Sequence, residues 1–116
     1  MSRETDANKV RERALATLEE ARSKLHAWRF LKALKTASQG DRDTAAQLML
    51  DVALARQAMS AAILAEIVDE LEQEAPALKQ ATAAMDKAVK NLDKVKPVID
   101  AIGAVIGVVG RIVSLV

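Results

Sequence analysis

The stretch VIDAIGAVIGVVGRIVSLV, Val98 to Val116, decides how this chain is read. Eleven of its nineteen residues are Val, Ile or Leu, and Asp100 and Arg111 are its only charges. So much aliphatic surface has to be kept from water by the rest of the chain, by another protein or by lipid. Its apolar positions also continue a longer pattern. Leu78, Ala81, Met85, Ala88, Leu92, Val95, Ile99, Ile102, Ile106, Val109, Val113 and Val116 alternate steps of three and four, which is a heptad seam. The spacing predicts one helix over 76–116. Pro97 falls inside it and removes a backbone donor, yet the seam keeps its phase there. The expectation is a helix bent near Pro97, not ended by it.

After Pro97 the apolar arc widens, as Val98, Val105 and Ile112 join the seam. The remaining face is nearly free of side chains, with Gly103, Gly107 and Gly110 between Asp100 and Arg111. A glycine costs a helix about 1 kcal/mol relative to alanine, so three close together predict that another element approaches closely. At about 1.5 Å per residue the segment would be roughly 28 Å long, just enough for a bilayer core. Its large aliphatics favour insertion by roughly 5 kcal/mol, against up to about 3 kcal/mol for each charge at mid-helix. Insertion is therefore marginal. An unbroken seam serves burial against other helices better than exposure to lipid.

Upstream, Ala7, Val10, Ala14, Leu18, Ala21, Leu25, Trp28, Leu31 and Leu34 share one face, predicting a first helix over 6–38 that Thr5 or Asp6 can cap. Ser38-Gln39-Gly40-Asp41 supplies a glycine able to close that helix in the left-handed conformation. A second helix over 42–74 follows, with Thr44-Ala-Ala-Gln47 spaced as a capping box. It carries two apolar stripes. Leu48, Val52, Ala55, Met59 and Ile63 lie beside Leu50, Leu54, Ala58, Ala61, Ala65 and Val68, which marks this helix as central. Pro76 suits the first position of the next helix, favouring a tight helical hairpin over one helix kinked at that point. Folding about Gly40 sets Lys9, Arg11 and Arg13 opposite Glu66, Asp69 and Glu70, consistent with an antiparallel pair. The expected fold is a single all-α domain over 1–116. It has three long helices: an antiparallel hairpin, then a long C-terminal helix whose end projects past the Gly40 loop.

Composition narrows function by exclusion. The chain carries seventeen basic and sixteen acidic groups, one histidine, and neither cysteine nor tyrosine. Near-zero net charge, with only Trp28 and Phe30 as aromatics, offers no field and no stacking platform for nucleic acid. Without cysteine there is no disulfide framework and no thiolate metal site. His26 stands alone, and Glu66, Asp69, Glu70 and Glu74 include no Glu-x-x-His pair, so neither an acid–base centre nor a bundle metal site is indicated. No enzyme, cofactor, metal or small-molecule substrate is expected. The start lacks the apolar stretch of a signal peptide, which points to the cytoplasm, with membrane association through 98–116 as the alternative.

Two candidate surfaces remain. The first would let the chain self-associate or dock a protein partner. It comprises Leu25, Trp28, Leu31, Val98, Ile99, Ile102, Val105, Ile106, Val109, Ile112 and Val113, with Gly103, Gly107 and Gly110 for close helix contact. In the alternative reading the same helix inserts into a bilayer as a pore-forming or anchoring segment. The second is a basic patch, Arg22, Lys24, Arg29, Lys32 and Lys35, around Trp28 and Phe30. Such a patch suits anionic lipid or an acidic partner. The simpler expectation is that Trp28 and Leu31 fill the core while the cations face water. No motif in the chain is specific to a family.

Overall fold

The computed structural model describes residues 3–116, and their side chains from Ala7 onward except Ala65. All regular structure among them is helical. The helices are α1 (Arg3–Leu25), α2 (Trp28–Leu34), α3 (Gln39–Ala61), α4 (Val68–Ala88) and α5 (Val95–Ser114), with a 3-10 turn, Leu64–Ile67, leading into α4. The all-α expectation holds. The three long helices become five, because the chain also breaks at His26 and Ala27, after Ala61 and after Ala88, and not at Pro76.

The first break, at His26 and Ala27, separates α1 from α2. In one straight helix Leu25 and Phe30 would point about 140° apart. Extended backbone at Ala27 (φ −67°, ψ 140°) turns α2 so that both become fully buried. The same turn swings Trp28 outward to 71% exposure and brings Leu31 to the surface, so neither fills the core as expected. Gly40 closes no helix, since no glycine among the described residues has a positive φ. Ser38 starts α3 instead, its hydroxyl accepting from the Asp41 amide at 3.1 Å. Thr44, the expected cap, lies inside α3 and donates to the Gly40 carbonyl. The side chains of Thr5 and Asp6 lie outside the described set, and the α1 backbone already begins at Arg3.

Helix α3 ends at Ala61, well short of residue 74. Arg11 of α1 donates to the carbonyls of Met59 and Ala62, satisfying acceptors that the helix end leaves free. Arg11 is therefore spent on backbone, not on the acidic residues expected opposite it. Pro76 makes no hairpin. It sits inside α4, exposed, between buried Val68 and Leu71 on one side and buried Leu78, Ala81 and Met85 on the other. Their burial outweighs the hydrogen bond that proline removes. Pro97 falls in the first turn of α5, where a missing N–H costs nothing. The expected long helix thus stops at Ala88 and does not bend at Pro97. In the intervening turn the Asn91 side chain accepts from the Asp93 amide at 3.2 Å.

Four helices form a bundle measuring 48 × 22 × 18 Å. Each of α1 and α5 packs against both α3 and α4. An ion pair from Glu19 to Arg56 at 3.1 Å spans the antiparallel α1 and α3, and Arg111 reaches Glu74 at 3.3 Å across the antiparallel α4 and α5. Thr17 and Thr82, 3.1 Å apart, join the parallel pair α1 and α4. Although consecutive in the chain, α3 and α4 sit across the diagonal and barely touch. The central helix is α5, not α3. Val98, Ile102, Val105, Val109 and Ile112 are fully buried, and α5 also contacts α1 and α2. Its C-terminal end lies away from Gly40, so nothing projects past that loop.

Candidate functional site

Of the two apolar stripes on α3, the core uses one. Ala45, Leu48, Val52 and Met59 are buried, whereas Leu50 and Leu54, one turn apart on the other stripe, are each 53% exposed. Beside them runs α5. A groove of about 330 Å³ separates the two helices, lined mainly by Leu54, Ala55 and Ala58 from α3 and by Ile106, Val109 and Val113 from α5, with Asp51 and Ser114 as its polar members. Charge is sparse along this side. Between Thr44 and Ile63 only Asp51 and Arg56 are charged, and between Ala101 and Gly110 no residue is.

The glycine face of α5 adjoins the groove through Gly110. A Cβ placed at Gly103, Gly107 or Gly110 would meet nothing within 4 Å. The close helix contact expected at these positions is therefore not made within the chain. Asp100 and Arg111 bracket the face. Asp100 has Lys96 at 3.8 Å, and Arg111 donates to Glu74 at 3.3 Å. Both side chains are mostly in solvent.

Most of the aliphatics expected to meet a partner are already used internally. Leu25, Val98, Ile99, Ile102, Val105, Val109 and Ile112 are buried in the chain's own core. Ile106 and Val113 are half-buried and reach the groove. Leu50 and Leu54, by contrast, stand half in water, although the double stripe on α3 predicts a second neighbour within the chain. The sparsely charged outer face of α3 is the feature that distinguishes them. Helix α5 is long and apolar enough to cross a membrane, with a mean hydropathy of 1.7, but its apolar arc forms the centre of the bundle.

The basic patch lies at one end, where α2 packs on α1 and α5. The Lys32 ammonium sits 5.0 Å from the centre of the Trp28 ring, a cation–π contact. Arg29 pairs with Asp93 at 2.9 Å, tying α2 to the turn before α5. Arg22 pairs with Glu19 at 2.9 Å. Hydrogen bonds from Arg22 hold the Glu19 carboxyl below its ordinary range, and Glu19 raises Arg22 in return. Lys24, Lys32 and Lys35 make no ion pair among the described residues.

Among the described residues Thr17 is the polar one that is buried, donating to the Arg13 carbonyl and meeting Thr82. Among the described residues no buried side-chain nitrogen or oxygen lacks a partner, and no group of three or more His, Cys, Asp or Glu could hold a metal ion. Comparison with family profiles, characterised proteins and solved structures returns no match.

Proposed function

We propose that this chain is a non-catalytic helical interaction protein that pairs with a second copy of itself through the sparsely charged side formed by α3 and α5. The observation that carries this reading is the unused stripe of α3, with Leu50 and Leu54 half in water beside an apolar groove. A contiguous apolar face of this kind on a soluble bundle is characteristic of a surface that is covered in use. The empty space over Gly103, Gly107 and Gly110 supports it, because backbones can approach closely there.

Charge selects the orientation. In a two-fold antiparallel crossing centred between Val105 and Ile106, Asp100 of each copy falls opposite Arg111 of the other, and Ala104 opposite Gly107. The interface is then self-complementary, as a closed dimer requires. A parallel crossing would set like charges together.

Sedimentation velocity over a concentration series tests the pairing. The wild-type chain is expected to dimerise, and Leu54→Ala to weaken it about thirtyfold, from about 1 kcal/mol lost at each of two symmetric sites. Asp100→Arg and Arg111→Asp should each fail to pair alone, yet pair with each other when mixed. A wild-type chain that stays monomeric at every concentration overturns the reading. Insertion of α5 into neutral vesicles, with loss of the Glu74–Arg111 contact, would favour the membrane alternative.

A further inference from the structure

The near-zero net charge conceals a segregation along the bundle. Around the end of α1, α2 and the α3 start, Arg22, Lys24, Arg29, Lys32, Lys35 and Arg42 outnumber Glu19, Glu20, Asp41 and Asp43. On the neighbouring turn into α5, Lys87, Lys90, Lys94 and Lys96 outnumber Asp86, Asp93 and Asp100. The Arg29–Asp93 pair shows that these segments share one end. At the other end Glu66, Asp69, Glu70, Glu72 and Glu74 outnumber Lys9, Arg11 and Arg13 of the parallel α1. The molecule is a dipole whose positive end carries an exposed Trp28 and Leu31.

We infer that this positive end docks on an anionic membrane surface. The cations come from separate segments and most are lysines, which act as flexible point charges without the planar fork that fixes one carboxylate partner. They sense the sign of a surface more than the shape of a ligand. One indole and one leucine are too little apolar area for the core of a specific protein interface, but they suit the headgroup region, where tryptophan and lysine sit together. Lys32 stacked over Trp28 brings charge and ring to the same spot. The inference does not rest on pairing through α3 and α5, which lie along the flank.

The chain has one tryptophan, so its emission reports this surface directly. Titration at low salt with phosphatidylcholine vesicles containing phosphatidylserine should shift Trp28 emission to the blue, and high salt should reverse the shift. Pure phosphatidylcholine vesicles should leave it unmoved. Lys32→Glu combined with Lys94→Glu should lower partitioning into the anionic vesicles at least about tenfold, with unchanged circular dichroism. Emission unmoved by the anionic vesicles, or moved equally by neutral ones, overturns the inference. So does a shift produced by an acidic polypeptide but not by the vesicles.

Discussion

The two flanks of this bundle are built alike on the inside and differently on the outside. Along α1 and α4 the exposed positions carry charges of both signs, with Lys9, Glu12 and Arg13 on one helix and Glu70, Glu72 and Lys79 on the other. Along the middle of α3 and α5 they are Leu50, Ala53, Leu54 and Gln57, then Ala104, Gly107 and Gly110, with Asp43, Lys96, Asp100 and Arg111 towards the helix ends. The first flank is finished for water; the second has the composition of a surface between helices. An apolar stripe therefore shows that a helix is buried on one side. It does not show whether a second stripe faces its own chain or another.

The largest effect that can break this contrast compares an inner with an outer residue of the same flank. Ile102→Ala should cost about 2–5 kcal/mol in chemical denaturation, since Ile102 is fully buried in the core. Leu54→Ala, measured below the pairing concentration, should stay within about 0.5 kcal/mol of wild type. Equal costs would mean that the α3–α5 flank is closed inside the monomer. A smaller change probes the charged flank. Pro76→Ala should stabilise the chain by about 2 kcal/mol, because proline lies exposed inside α4. A loss of stability would restore the hairpin turn at Pro76 and undo the arrangement of the helices. The smallest effect sharpens the contrast. Gly107→Ala should raise monomer stability by about 0.5–1 kcal/mol, as the added methyl meets open space, while weakening self-association. A destabilised monomer would show that the glycine face already has a neighbour.

Helicity and the identity of the core face were legible from periodicity alone, and Val98, Ile102 and Val109 are buried as their spacing implies. The connections were not. Ala62 and Ile63 contain no residue that opposes a helix, and α3 stops there because Arg11, about fifty positions upstream, takes over the carbonyls. That cause is tertiary, and no local pattern contains it. Pro97 and Asn91 did hold local information. A proline in a first turn and a side chain that folds back on the amide two residues later both announce a helix start, but the unbroken seam suggested continuity. Leu50 and Leu54 were visible as a stripe. Their exposure depends on α4 lying across the diagonal, which hydropathy cannot convey.

That diagonal has a kinetic consequence. Antiparallel α1 with α3, and α4 with α5, are neighbours along the chain, whereas Thr17 and Thr82 meet across sixty-five positions. Two local hairpins can assemble on their own, and the slow search is their docking, with loop-closure entropy lost only at that late step. A chain nicked at Ile63 should still reassemble from its two fragments, each already a paired hairpin.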